Sequence, residues 1–330
     1  MKKIMFVEMA VMVVLLVVAI CVAAGLSKQT ITPDLPQADA QTTIGTSPTD
    51  ETTQSPSQWE PNWKTFPEDR QLLAQQYFVY DCNSAQFLTI SGEQSERIYP
   101  ASITKLATAL VAMEHLQPDT EIEADNVLDM VAWGSSVAEL QVGDTLSVAQ
   151  LVEAMLLPSG NDAAYVLAAA AGRKIADDPN LSASEAVSTF MSVMNARAVE
   201  LGMTGSHFVN PDGIHDGEHY MTFSDLAVLG KLAMENKTIM RYANIVQQTV
   251  ELHGEDVKWK NTNALIDPLS EHYCPYAVGL KTGQTPSAGS CLLSAFRMDG
   301  RELIIGVFGC PEVEDRFDDT LQLFNQTILG

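Results

Sequence analysis

Residues Tyr99–Glu114 read YPASITKLATALVAME, with a serine and a lysine three apart at the head of an apolar run. The run from Leu106 to Leu116 is apolar at helical spacing. Residues three apart on a helix share a face, so the Ser102 hydroxyl and the Lys105 amine can meet. An ordinary serine is a poor nucleophile and needs a base to take its proton. A lysine can be that base where burial or a neighbouring cation lowers its pKa. Ser102 also falls at the predicted helix N-terminus, where free backbone N–H groups stabilise developing negative charge. Taken alone, Ser-x-x-Lys arises by chance, and a serine before an apolar run is usually only a cap.

Two further stretches bear on the same chemistry. Leu157–Asp162 reads LPSGND between two predicted helices. Ser159 there can relay a proton to a leaving amine and Asn161 can hold a substrate carbonyl, although Pro-Ser-Gly-Asn is also ordinary turn chemistry. Gly279–Thr285 reads GLKTGQT at a predicted strand end. Lys281 and Thr282 offer a cation and a hydroxyl suited to a terminal carboxylate. Gly283 lets a substrate backbone approach, and an extended substrate can pair with that edge.

The order Ser-x-x-Lys, Ser-x-Asn, Lys-Thr-Gly is the motif set of penicillin-binding proteins and β-lactamases. With it, YPASITKLATALVAME, LLPSGNDAAYVLA, MNARAVELGM, FVNPDG, NTNAL and GLKTGQTPSAGSCLLSA resemble segments of the serine D-Ala-D-Ala carboxypeptidase family, the low-molecular-mass penicillin-binding proteins. The resemblance runs from about Phe78 to Leu329. It implies Ser102 as nucleophile, Lys105 as general base, and Ser159 and Asn161 in proton transfer and substrate holding. It further implies Lys281 polarising the site, Thr282 on the substrate carboxylate, and an oxyanion hole from the backbone N–H groups of Ser102 and Gln284. Arg316, in Glu314-Asp-Arg-Phe317, falls where the family has a carboxylate-binding arginine. The implied substrate is a peptidoglycan stem peptide ending in D-Ala-D-Ala, with β-lactams as inhibitors and no cofactor. Gln284 stands where Tyr or His is common, which touches substrate preference more than an oxyanion hole made of backbone.

Other chemistries fit less well. A class A β-lactamase needs a glutamate for its deacylating water, and no Glu-x-x-Leu-Asn-type segment follows Asn161 at a suitable place. A zinc peptidase would have to use Asp212, His215, Asp216 and His219, which read better as a Gly- and Asp-rich surface loop, so no metal is expected. A Gly-x-Ser-x-Gly esterase elbow is absent. A non-catalytic penicillin or peptidoglycan sensor is the remaining alternative, and the short stub before Ile4 leaves no room for a signalling domain.

Outward from the motifs, the elements predict an α+β fold. Gln76–Cys82 and Phe87–Ile90 are β-rich, and Tyr276–Lys281, Cys291–Phe296 and Leu303–Phe308 are strand-like, with Asp299-Gly300 a two-residue hairpin turn. Ser147–Gln150 and Ser182–Glu185 are capping boxes that open helices, the second ending near Leu201 with Gly202 past its end. The chain starts and finishes in strands around a mostly helical middle. The expected architecture is one antiparallel sheet built from both chain ends, flanked by helices, with a helical lobe. The resemblance makes this the β-lactamase/DD-peptidase-like fold. Met191 and Met194 sit at core spacing, and Asn261 and Asn263 brace a turn near the site.

The 330 residues carry 42 acidic against 19 basic side chains, a formal charge of −23, which excludes nucleic acid as a partner. Lys2 and Lys3 precede an apolar run from Ile4 to about Leu26. Residues 1–26 therefore read as a membrane anchor or a signal segment, with the rest of the chain outside the cytoplasm. Residues 27–66, rich in Thr, Ser and Pro, read as a disordered linker, and residues 67–330 as the catalytic domain. The family often carries a further domain after this one; here the chain stops soon after Arg316, so anchoring would fall to the N-terminal segment. Cys82, Cys274, Cys291 and Cys310 read as small buried hydrophobes with one disulfide open to them.

Overall fold

The structure, a computed structural model, describes residues 66–67 and 70–329. The anchor expected over residues 1–26 lies outside the described residues, as does the linker apart from Phe66. Among the described residues no helix is long and apolar enough to cross a membrane.

The strands in chain order are β1 (Gln76–Asp81), β2 (Gln86–Ile90), β3 (Arg97–Ile98), β4 (Glu121–Glu123), β5 (Thr145–Ser147), β6 (Met221–Thr222), β7 (Gln247–Leu252), β8 (Glu255–Lys260), β9 (Ala277–Thr285), β10 (Gly289–Met298) and β11 (Arg301–Cys310). Five form the main sheet in the order β2-β1-β11-β10-β9, antiparallel throughout. Its nucleus is the β10–β11 hairpin. Asp299 and Gly300 both have positive φ, 50° and 80°, the geometry a two-residue turn needs to match strand twist. That turn fixes Met298 opposite Arg301 and carries the register down to Leu292 opposite Val307, beyond which a bulge shifts it so that Ser290 faces Cys310.

The apolar runs in β10 and β11 are nearly continuous because both faces of the sheet are covered. Leu293, Ala295, Ile304 and Phe308 face the helical lobe, whereas Leu292, Phe296, Leu303 and Ile305 pack under the C-terminal helix with Phe317 and Phe324. The helices are α1 (Thr104–His115), α2 (Val148–Leu156), α3 (Asn161–Ala176), α4 (Ala183–Glu200), α5 (Phe223–Glu235), α6 (Lys237–Ala243) and α7 (Asp315–Leu329). Both predicted capping boxes form, Ser147 with Gln150 at α2 and Ser182 with Glu185 at α4. First and last strands pair directly, Gln76 opposite Phe308, which makes the sheet from both chain ends.

Two details depart from the sequence reading, and a third decides what it left open. Lys281-Thr-Gly283 lies inside β9 rather than at a strand end, because β9 continues to Thr285 along β10. The β7–β8 hairpin, turning at His253-Gly254 with φ 45° and 78°, had no strong turn signal. All four described cysteines are free. Cys291 and Cys310 are on neighbouring strands, but one packs into the lobe-side core and the other beneath α7.

α3 and α4 approach through small residues. A Cβ on Gly172 would lie 1.9 Å from the Ala186 carbonyl oxygen. Gly172→Ala should therefore destabilise by about 1–3 kcal/mol in spite of alanine's better helix propensity, read as a lower denaturant midpoint at unchanged m-value.

Candidate active site

The polypeptide enters the site through a tight turn. Pro100 leads into a 3-10 turn, Ala101–Ile103, and α1 begins only at Thr104, so Ser102 stands on the turn ahead of the helix rather than in its first turn. Ala101 has φ 49° and is buried. Such a conformation is sparsely populated and persists only where its surroundings enforce it. They do so here through two glycines. A Cβ on Gly213 would sit 1.9 Å from the Ala101 carbonyl oxygen, and one on Gly283 would sit 2.8 Å from the Pro100 oxygen and 3.1 Å from the Ser102 nitrogen.

Lys105 is fully buried and its three donors are all used. Nζ donates to Ser102 Oγ at 2.8 Å, to Asn161 Oδ1 at 2.6 Å and to the Asp212 carbonyl at 2.9 Å. Burial pulls its pKa down to about 8, against the opposing pull of the Asp212 and Asp162 carboxylates. Asn161 is the first residue of α3, and its own N–H donates to the Ser136 carbonyl at 2.8 Å. Asp162 beside it is clamped by the backbone N–H groups of Ala138, Leu140 and Ala163, which ties residues 136–140 to the α3 N-terminus. Ser159 is buried with φ 64° in the turn between α2 and α3. It is not among the three acceptors of Lys105, so a proton relay through it does not start from a direct contact with that amine.

The β9 side contributes two more buried cations. Lys281 is 1% exposed and donates to the Thr282 carbonyl at 3.2 Å. Desolvation first, and then repulsion from Lys105 and Arg316, holds its pKa well below the ordinary lysine value. Arg316, on the first turn of α7, sends Nη1 to the Gly283 carbonyl at 3.3 Å, while its buried Nε has no hydrogen-bond partner among the described residues. Thr282 Oγ1 lies 2.5 Å from Thr262 Oγ1. A cleft of about 510 Å³ is lined by Ser102, Ser135, Asn161, Gly213 and Gln284, while Thr262 and Arg316 line a separate cavity of about 490 Å³. Two buried cations, a hydroxyl pair and an unsatisfied guanidinium N–H thus gather along this part of β9.

The sequence model of the D-alanyl-D-alanine carboxypeptidase family, peptidase S11, matches residues 63–312. The chain belongs to that family. A D-alanyl-D-alanine carboxypeptidase of Streptomyces strain K15 is 34% identical over 235 residues, which are 68% of this chain and 77% of that relative. DacF of Bacillus subtilis is 29% identical over 226 residues, and there the match spans 54% of the relative's length. The structure of a variant of the Streptomyces K15 DD-transpeptidase superposes with a TM-score of 0.69 at 28% identity, covering 79% of this chain and 100% of the other. The fold is thus that of the DD-peptidases, as the three motifs implied.

Several residues of this DD-peptidase site were not singled out as site residues from sequence: Ser135 and Ser136, Asp162 and Thr262. Asp162 and Thr262 lie within the quoted segments. Ser135 and Ser136 have no local signal and reach the site through a contact distant in the chain, the Asn161 N–H to the Ser136 carbonyl. The His215–His219 stretch serves the site differently from a metal cluster. His219 Nδ1 accepts from the Val209 N–H at 3.2 Å, which leaves its Nε2–H to donate to Thr104 Oγ1 at 2.8 Å. Among the described residues no group of three or more His, Cys, Asp or Glu side chains is placed to hold a metal.

His219 makes stability depend on pH. Burial pushes its pKa down to about 4 from an ordinary 6.5, so between those values the unfolded chain takes up a proton that the folded protein refuses. The contribution is complete above about pH 6.5 and is lost as pH falls towards 4, with a magnitude on the order of 3 kcal/mol. Urea denaturation at both pH values should show that loss, and His219→Gln should flatten it.

Proposed function

We propose that residues 67–330 form a catalytic domain that hydrolyses the bond between the two terminal D-Ala residues of peptidoglycan stem peptides, through an acyl-enzyme on Ser102. One observation carries the reading: the buried Lys105 amine 2.8 Å from Ser102 Oγ, with its other two protons given to Asn161 Oδ1 and a backbone carbonyl. Those two partners can only accept. Ser102 is the one partner with a proton of its own. When Lys105 loses a proton, its remaining two N–H bonds stay with Asn161 and Asp212, and its lone pair is left facing the Ser102 hydroxyl. With a pKa of about 8, roughly one molecule in ten holds the neutral base at pH 7.

Ser102 Oγ then attacks the carbonyl of the penultimate D-Ala as its proton passes to Lys105. The tetrahedral oxyanion is received by the backbone N–H groups of Ser102 and Gln284. Collapse breaks the amide C–N bond, and the leaving amine takes a proton from Lys105, directly or by way of Ser159. The terminal D-Ala departs and water hydrolyses the ester. Thr282 and Arg316 receive the substrate's terminal carboxylate, Lys281 adds to the positive field, and Gly283 admits the peptide backbone along β9. A β-lactam carries a carboxylate near its acyl carbonyl, so it acylates the same serine and leaves slowly. Residues 1–26 would hold the domain outside the cytoplasm, at the membrane or after cleavage in the medium, with residues 27–66 as a solvated tether.

The full chain should release free D-Ala from a diacylated D-Ala-D-Ala peptide, and penicillin or Ser102→Ala should abolish the release. Lys105→Ala should slow penicillin acylation by about 10²–10⁴-fold while the melting transition is kept. A stable penicillin adduct on Ser102 with no D-Ala release would favour a binding or sensing protein instead.

A further inference from the structure

Asp212 is 1% exposed and its backbone oxygen is one of the three acceptors of Lys105. Its side chain is in an unusual position. Oδ1 accepts from the Ile214 N–H at 3.1 Å, but Oδ2 is buried without a hydrogen-bond partner among the described residues. A buried carboxylate oxygen left unpaired costs free energy unless a cation nearby compensates the charge. The cation is Lys105, whose ammonium and the Asp212 carboxylate attract each other while standing outside direct ion-pair distance.

The loop carrying Asp212 is pinned so that this relation is fixed. Thr108 Oγ1 donates to the Pro211 carbonyl at 2.7 Å, Gly213 N–H donates to Asn210 Oδ1 at 2.8 Å, and Gly213 abuts Ala101. Other charges also face the amine. On the β9 side burial, and then the Lys105 and Arg316 charges, depress the Lys281 pKa, so the repulsion falls on Lys281 rather than on Lys105. Asp162 faces it from α3, but that carboxylate is spread over three backbone N–H groups. Tyr165, also on α3, faces Asp212 as an uncharged phenol. Asp212 is therefore the acid whose charge is least committed elsewhere.

We propose that Asp212 is a positioning residue for the reaction, its buried carboxylate setting the pH range over which Lys105 accepts the Ser102 proton. The field it supplies offsets desolvation, keeping the amine basic enough to draw a serine proton. This inference rests on the reading of Lys105 as the base.

The test uses Asp212→Asn in the full chain. The substitution keeps the shape and the oxygen that accepts from Ile214, and removes only the charge. The rate constant for acylation by penicillin would be followed from about pH 5 to about pH 10, beside wild type and Asp212→Ser. Losing the carboxylate should move the midpoint of the rising limb down by about one pH unit. An unchanged or higher midpoint in variants that still acylate overturns the inference. So does loss of the melting transition in both variants, which would make Asp212 a structural residue. Failure of the underlying reading looks different: the wild type itself would not be acylated, or Lys105→Ala would be acylated normally.

Discussion

A lysine amine with no exposure to water must have every donor satisfied by protein, and much of the site follows from meeting that demand at Lys105. Its three acceptors come from three separate parts of the chain: the turn before α1, the first residue of α3, and the loop ending in Gly213. Each must be held in place independently. Asp162 holds the α3 N-terminus to residues 138–140, Thr108 and His219 hold the loop over α1, and the two glycines hold the turn. Removing any one acceptor would strand a buried donor, so the catalytic geometry and the stability of the lobe-to-sheet junction are one problem.

The same demand explains why strained backbone collects here. Ala101 and Ser159 occupy the left-handed region without being glycine, and each flanks a residue bonded to Lys105, Ser102 in one case and, across Gly160, Asn161 in the other. Strain of this kind costs of order 1–3 kcal/mol and needs compensation from surrounding contacts. The compensation is close packing, Gly213 against the Ala101 carbonyl and Gly283 against Pro100 and Ser102. The glycine of the Lys-Thr-Gly motif thus has a role before any substrate arrives: without a side chain at 283, β9 can lie against the nucleophile's turn.

What could be read in advance divides along the same line. Elements set by neighbours in sequence were legible: the Asp299-Gly300 turn, the capping boxes at Ser147 and Ser182, and Ser102 facing Lys105. The α+β layout followed from strands at both chain ends, and the motif order identified the family. Features set by tertiary contact were not legible. The extension of β9 to Thr285 depends on β10 beside it, and the start of α1 at Thr104 rather than earlier depends on what presses against Ala101. Asp212 read as part of a Gly- and Asp-rich surface loop, yet it is buried, because its actual relation is to a lysine 107 residues away. His219 was misjudged for the same reason, since Thr104, its partner, is 115 residues distant.

Charge gives the site its selectivity. The chain is strongly acidic, yet Lys105, Lys281 and Arg316 are all buried, and all three are hydrogen-bonded only to neutral oxygens. Local dielectric decides which of these opposed fields a substrate feels. Surface carboxylates are screened within about 10 Å by ordinary salt, whereas buried cations are not. An approaching anion would therefore feel Lys281 and Arg316 only at short range, where their donors meet backbone carbonyls alone. A peptide ending in an amide would forfeit that attraction and leave the Arg316 Nε–H still unsatisfied. The Lys105 charge is felt at Lys281, whose pKa burial lowers first and Lys105 and Arg316 lower further, so the two lysines of the site are electrostatically linked.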